Sequence, residues 1–382
     1  MNLFDDLGWF QWTAFLWASV YVPLLLFLMA GMWRLRRSDR LPDEASVPVT
    51  VIVSARNEET DLPRCIDSLL ALDYPKEKLQ IILVNDWSDD ATGRIIDATA
   101  AAHAHVRAIH SKDELETHLK AKARGIANGF HHATGDWVFI TDADAAVHPA
   151  WIRYSLGRID DRTGMVGGSL VVDGHTFMAR LERVCWAFVQ MFNIGMAGWG
   201  VPFACVGPNM VIRRSIYVDA GGLEQADFKV AEDLALMGMV VKSGYRIQSY
   251  MDEETTAHIR PVPTLGHLFS QQRRWFRGGI DNGADYAVIL FGSFWWGFGT
   301  VTYITFGWLL HLPTWLFFMA VKILTDAAFL ALQQHRMRLD RHARFFWLLE
   351  LYHPVVFSWL PASFLFTRKI RWMGDGYEIR YD

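Results

Sequence analysis

The sequence predicts an α/β domain of parallel strands, flanked at both ends by apolar helices long enough to cross a membrane. Three observations carry this expectation. Short β-branched runs alternate with helical stretches between about residues 46 and 260, as in repeated βαβ units. No Asp, Glu, Lys or Arg occurs from Leu7 to Trp33, from Val184 to Ile212, or from Tyr286 to Val321. The 382-residue chain is 52% hydrophobic yet carries 37 basic and 41 acidic side chains, so its charges are crowded into the remainder. High apolar content with a net charge of −4 excludes a disordered or nucleic-acid-wrapping chain.

The window at 7–33 would make about 40 Å of helix, enough for a tilted crossing. Asp5 and Asp6 precede it, unlike the basic start of a cleaved signal. Arg34, Arg36 and Arg37 follow, which places the rest of the chain in the cytoplasm and makes this an uncleaved anchor. Trp9, Trp12 and Trp33 are expected near its interfaces. The last window is too long for one helix and Pro313 interrupts it, so 286–334 reads as a membrane hairpin with spans of about 286–310 and 313–334. Lys322 and Asp326 lie one turn apart in the second span and are expected to pair; a polar cavity is the alternative. Arg336, Arg338, Arg341 and Arg344 return the chain to the cytoplasm. Residues 345–366 are apolar but hold Glu350, Pro354 and Pro361. A single crossing there would leave Arg368, Lys369 and Arg371 of the 367–382 tail outside, so a re-entrant or interfacial segment is expected, with a span as the alternative.

The domain at 46–262 opens with three apolar runs, Val49–Ser54 (VTVIVS), Gln80–Val84 (QIILV) and Trp137–Thr141 (WVFIT). Such runs suit buried parallel strands. Helical stretches at about 60–71, 91–102 and 118–133 separate them. Ligands of such sheets bind beyond the carboxyl ends of the strands. The residues there include Arg56, Asn57 and Glu58, then Asp86 to Asp90, then Asp142 and Asp144. Carboxylates at two strand ends suggest a divalent cation with a polyol or nucleotide, and neither Walker A nor GxGxxG is present.

Each motif has a plainer reading. Asp142 and Asp144 could only cap a turn, although their place directly after a strand favours metal binding. Asp89 and Asp90 suit helix capping, whereas Asp86 precedes the helix and could accept from a nucleotide. Glu232 and Asp233 open an apolar-periodic helix, where acids favour the dipole, but glycosyl transfer also needs a carboxylate base. Gln271-Gln272-Arg273-Arg274-Trp275 falls in 263–284, which reads as a basic interfacial helix that could still turn one Arg toward a phosphate. Cys65, Cys185 and Cys205 lack metal spacing and read as free thiols.

In this order the motifs resemble the family 2 glycosyltransferases, over about residues 48–278. SARNEE and LVNDWSDDAT look like that family's opening nucleotide-binding loops, TDAD like its metal-binding DxD, AEDLAL like its base segment, and QQRRW like QxxRW. PFACVG at 202–207 is similar to the small acceptor motif of membrane synthases, with one departure, and Ala127 stands where an asparagine is usual after Lys122. The resemblance implies a Rossmann-like GT-A fold, a cytoplasmic catalytic domain, and Mg²⁺ or Mn²⁺ on Asp142 and Asp144. By it, Arg56, Glu58, Asp86, Lys122 and Asp142 would serve the nucleotide-sugar donor, and Asp233 would be the base. Gln271, Arg274 and Trp275 would close over the diphosphate and acceptor.

This assignment bears on the middle window. If 184–212 crossed the bilayer, Asp142 and Asp144 would lie opposite Asp233 and Arg274, so the window is expected to stay on the cytoplasmic side as part core and part interfacial helix. Three spans and one doubtful segment are few for a polysaccharide channel. The expected reaction is therefore inverting transfer of one sugar from a UDP-sugar to a membrane lipid hydroxyl. A processive polysaccharide synthase is the alternative, and a non-catalytic nucleotide-sugar-binding subunit is a third. The bilayer and a lipid acceptor are the expected partners, with no nucleic acid.

Overall fold

The computed structural model describes residues 9–35, 37, 39–114, 117–157, 159–201, 205–226, 231–281, 297, 299–301, 312–339, 342–366, 369–372 and 375–378. The elements begin with α1 (Trp9–Arg34), β1 (Val49–Ala55), α2 (Leu62–Leu70), β2 (Leu79–Asn85), α3 (Thr92–Ala102), β3 (Val106–His110), α4 (Ala121–His131) and β4 (Trp137–Asp142). Then come β5 (Ala145–Val147), α5 (Trp151–Leu156), β6 (Thr163–Gly167), β7 (Ser169–Val172), α6 (Phe177–Ala197), β8 (Met210–Arg213), α7 (Arg214–Asp219) and α8 (Glu232–Lys242). The chain ends with β9 (Arg246–Ser249), β10 (Thr256–Ile259), α9 (Leu265–Asp281), α10 (Leu312–Arg336), α11 (Trp347–Phe366), β11 (Lys369–Trp372) and β12 (Asp375–Glu378).

Strands alternate their side chains between two faces. Val49, Val51, Val53, Ile81, Leu83 and Phe139 therefore enter one apolar core, while Ile52, Ile82, Val84, Val138 and Ile140 enter another. Burial on both sides explains why these runs are continuously apolar; each large side chain contributes about 1.5–3 kcal/mol. The sheet order is β3-β2-β1-β4-β8-β6-β9. The first four strands are parallel, as expected, but β8 runs antiparallel to both β4 and β6, so the sheet is mixed rather than all-parallel. A smaller sheet, β5-β10-β7, stands beside it.

The middle window divides. Its carboxyl end is β8, paired with β4 from Trp137↔Arg213 to Ile140↔Met210. A strand hydrogen-bonded to β4 stays on β4's side of any bilayer, which agrees with the expectation against a crossing. The other part is α6, capped by the Thr176 hydroxyl, which accepts from Ala179 N–H at 3.2 Å. Ala179 and Trp186 of α6 join the sheet core. Leu181, Val184, Cys185 and Phe188 instead pack with Leu25 and Leu28 of α1, Phe329 of α10 and Leu349 of α11. α6 and α1 meet backbone to backbone, because a Cβ on Gly31 would lie 2.0 Å from the Gly195 carbonyl oxygen. Trp199 Nε1 donates to the Phe27 carbonyl at 3.0 Å and the two rings stack.

Three apolar helices share a buried polar network. Tyr21 of α1 donates to Asp326 Oδ1 at 2.8 Å, and Lys322 Nζ donates to Asp326 Oδ2 at 2.8 Å and to Glu350 of α11. Lys322 and Asp326 do pair, as expected, and Glu350 and Tyr21 extend the pair across three helices. At the helix ends Arg336 donates to the Leu35 carbonyl at 3.0 Å, and Arg338 pairs with Glu253 at 2.9 Å. Among the described residues, Trp315–Arg336 is one helix long and apolar enough to cross a membrane, and Ser19–Arg34 is a shorter apolar one. Residues 282–296, 298 and 302–311, which include most of the expected span at 286–310 and its turn, lie outside the described residues. Residues 347–366 form one unbroken helix despite Pro354 and Pro361, and β11 of the following hairpin lies against α9.

Lys322 is nearly inaccessible, so replacing it alone leaves two buried carboxylates without a cation. Lys322→Met should destabilise the purified protein by about 3–5 kcal/mol. Adding Asp326→Leu and Glu350→Gln should recover most of the loss in thermal midpoint.

Candidate active site

The loops after β1 and β2 are joined into one rigid edge. Asn57 N–H donates to Ser88 Oγ at 3.1 Å, Glu58 N–H to Thr92 Oγ1 at 2.8 Å, and Glu59 N–H to Asp90 Oδ2 at 3.1 Å. In return Asp89 N–H donates to Asn57 Oδ1 at 2.8 Å and Ala91 N–H to Glu59 Oε2 at 2.9 Å. Asp90 also caps the Thr92 N–H, the plainer role the sequence allowed it. Asn57 and Trp87 both hold left-handed φ values, 57° and 61°. Arg56 is half-buried in the first of these loops.

Asp86 is buried beneath this edge and is already engaged. Arg124 of α4 grips it with Nε 2.7 Å from Oδ1 and Nη2 3.0 Å from Oδ2. Sequence reasoning passed over Arg124, whose one signal was its place on the same first turn as Lys122. A carboxylate gripped in this way keeps a second lone pair on each oxygen, so Asp86 can still accept from a ligand. α4 rides close on β1, since a Cβ on Gly125 would lie 2.0 Å from Ser54 Oγ.

The left-handed φ of 48° at Ala121 starts α4 and turns Lys122 inward. Lys122 Nζ lies 2.5 Å from Asp142 Oδ1, at the end of β4, and 3.2 Å from Glu232 Oε1, at the start of α8. Gly207 covers the same point, because a Cβ there would meet Lys122 Nζ at 2.9 Å and Asp233 Oδ2 at 3.5 Å. Residues distant in sequence thus form one cluster of Lys122, Asp142, Asp144, Glu232 and Asp233. Burial alone would lower the Lys122 pKa, but Asp142 and Glu232 hold it above the ordinary lysine range.

Burial, then the Asp142 charge, pushes Asp144 up to about 7, against Lys122. Burial, with Asp144, Asp61 and Asp142, pushes Glu58 up to about 8. Burial and Glu232 push Asp233 up to about 6, while Lys122 and Arg274 pull it down. Acids that raise one another in a buried, oxygen-only site fit a hard divalent cation. Among the described residues no three His, Cys, Asp or Glu side chains are arranged as a closed ligand set. Two carboxylates, Asp142 and Asp144, suit a cation that takes its other ligands from phosphate and water.

The QxxRW residues on α9 divide between two neighbours. Arg274 is near enough to Asp233 to lower its pKa. Gln271 instead lies close enough to Glu182 of α6 to lower its pKa, and Trp275 packs on Trp186 with centroids 4.0 Å apart. Glu182 is fully buried, accepts Val262 N–H at 2.7 Å, and has its pKa raised by that burial. Trp275 therefore fastens α9 to α6, and Arg274 stands near Asp233. Glu182, a lone acid within an apolar helix, was the overlooked signal. Of PFACVG, residues 202–204 lie outside the described ones. Cys205 is buried, with its thiol pushed up to about 12 by burial and then by Asp233, and all three cysteines are free.

A parallel sheet that ends in a carboxylate cluster and is completed by antiparallel strands has the GT-A-like architecture of glycosyltransferases. The chain belongs to glycosyltransferase family 21, whose model, "Glycosyl transferase family 21", matches residues 15–382; this replaces family 2, which the motifs resemble. It is 30% identical over 279 residues to "Probable glycosyltransferase YdaM" of Bacillus subtilis, covering 68% of this chain and 64% of that one. It is 25% identical over 241 residues to "Poly-beta-1,6-N-acetyl-D-glucosamine synthase" of Staphylococcus aureus, covering 61% of this chain and 55% of that one. The chain therefore spans less than two thirds of the length of these curated relatives. Its fold matches a mannosyltransferase of Pyrobaculum calidifontis, solved with GDP-Man and Mn²⁺, with a TM-score of 0.58 at 20% identity over 92% of this chain and 99% of that one.

A base must be unprotonated to accept a proton, so the sign of its pH dependence is fixed. If Asp233 serves as the base that the motif resemblance implies, kcat/KM should rise with pH through about 6 and then level off. Glu232→Gln removes a like charge and should move that limb to lower pH, as measured in a pH–rate profile.

Proposed function

We propose that this chain transfers one sugar from a UDP-sugar to the hydroxyl of a membrane lipid, with inversion and with Mg²⁺ or Mn²⁺. The observation that carries the reading is that Lys122 joins the carboxylates of β4 to those of α8 in one buried site. Asp142 and Asp144 would hold the cation, which neutralises the diphosphate when bound. The joined loops bearing Arg56, Glu58 and Asp86 would seat the nucleoside. Arg274 would meet the departing phosphate, Trp275 on Trp186 holding α9 so that it can, and Gln271 would close over the diphosphate beside it. Asp233 would take the acceptor proton from the face opposite the leaving group, and a single displacement inverts the anomeric carbon.

The membrane part of the reading has its own support. Large apolar side chains remain exposed along α1 (Leu26, Trp33), α10 (Phe317, Leu324) and α11 (Leu351, Val355), as helices facing lipid would show. The contact of Arg336 with Leu35 sets the basic ends of α1 and α10 at one level, in keeping with a cytoplasmic catalytic domain. β11 against α9 would keep the basic tail on that side, which favours an interfacial course for 345–366. An acceptor could then approach along α6, which touches both the site and the apolar helices. The name of the Staphylococcus aureus relative favours a second reading, processive synthesis of a polysaccharide.

Incubation of the purified protein with a panel of UDP-sugars and a membrane lipid extract should give one glycolipid. A polymer ladder would select the synthase reading, and no product would contradict both. Chelation should abolish transfer and added Mn²⁺ restore it, while Asp233→Asn should cost at least about 10²-fold in kcat. Val201 is exposed at the end of α6, so Val201→Cys should react with an impermeant maleimide in inside-out vesicles only. Reaction in intact cells would contradict the topology.

A further inference from the structure

Trp87 combines an exposed indole with a left-handed backbone. It leaves more than half of its surface exposed (53%) and joins none of the three apolar clusters. Its φ of 61° is one that bulky residues rarely adopt. The surroundings enforce that conformation. Asp86 N–H donates to the Ala55 carbonyl at 2.8 Å before it, and Ser88 N–H donates to Asn85 Oδ1 at 3.2 Å after it. Asn85 is itself held by His110 at 3.0 Å, and His110 by Asp97 at 2.8 Å. A chain of contacts thus holds an indole outward where a glycine would carry no strain.

The indole does have one partner. The Arg124 guanidinium lies 5.6 Å from the ring centroid while both of its forks are committed to Asp86. An aromatic plane, a carboxylate with spare lone pairs and a guanidinium therefore stand together at the carboxyl end of β2. A planar heterocycle needs that set, with a face to stack on and polar atoms to meet its edge. Two residues before Arg124, Lys122 reaches the carboxylate cluster, so the first turn of α4 runs from this platform to the proposed phosphate and cation site. The order matches a nucleoside diphosphate, with its base at Trp87 and its phosphates at Lys122, Asp142 and Asp144.

We infer that Trp87 is the stacking platform for the nucleobase of the donor, backed by Arg124. This rests on the nucleotide-sugar reading above and adds the residue that grips the base. The backbone strain is the cost of presenting the ring, and the joined loops supply the rigidity that offsets it. Stacking on a preset ring adds affinity to every donor with the same base, whatever its sugar. Its loss should appear in KM with kcat little changed.

The test compares two ligands in the presence of Mn²⁺ by titration calorimetry on the full-length protein. One is UDP and the other is ribose 5-diphosphate, which has the phosphates but no base. Trp87→Ala should weaken UDP about 10-fold or more and leave ribose 5-diphosphate unchanged, while Trp87→Phe restores most of the UDP affinity. Thermal midpoints of both variants should stay at or above that of the wild type, because strain is not increased. Equal UDP binding by Trp87→Ala and the wild type would overturn the inference. So would a parallel loss of both ligands, which would make Trp87 a structural prop of the loop. A wild-type protein that binds neither UDP nor GDP, CDP or ADP would instead refute the nucleotide-sugar reading, and the platform with it.

Discussion

One buried ammonium holds the site together. Lys122 starts the helix after β3, yet its Nζ stands between Asp142, which ends β4, and Glu232, which opens α8. Without that cation the acids of the two halves would repel one another in a buried setting, and removal of one partner from such a set is strongly destabilising. Gly207 is part of the same constraint, since any side chain there would meet the Lys122 ammonium or the Asp233 carboxylate. The proton affinities follow from this arrangement. Burial and then Glu232 push the Asp233 pKa up to about 6, while Lys122 and Arg274 pull it down.

The apolar helices extend the constraint outward. α6 is the shared element, with Glu182 and Trp186 fastening the QxxRW helix on one side and Gly195 and Gly198 pressed against α1 on the other. Arg274 therefore owes its position to packing that reaches the apolar helices. The Tyr21–Asp326–Lys322–Glu350 network locks those helices to one another, where apolar packing alone specifies register poorly.

Much of the nucleotide-binding half was legible in the sequence because its signals are local. β1, β2 and β4 differ from the expected runs by a residue or two, as buried strands with continuous apolar stretches should. β3 was missed because Arg107 interrupts VRAIH, and β6 to β10 were missed because short mixed strands leave weak periodicity. The acid cluster was legible as motifs in order, yet their contacts were not. Nothing in the spacing of Asp86 and Arg124 announces a bidentate pair, and nothing in QQRRW announces that Trp275 would pack on Trp186 of α6. The middle window shows the same division. Hydropathy described its composition correctly, but the pairing of β8 with β4 decided its place.

The central claim is that carboxylates from β4 and α8 act across one anomeric carbon in a single displacement. The most direct measurement is the anomeric configuration of the glycolipid made from an α-linked UDP-sugar, read by proton NMR. The account predicts a β-glycoside formed by the wild type and none formed by Asp233→Asn. An α-glycoside, or undiminished transfer by Asp233→Asn, would contradict it.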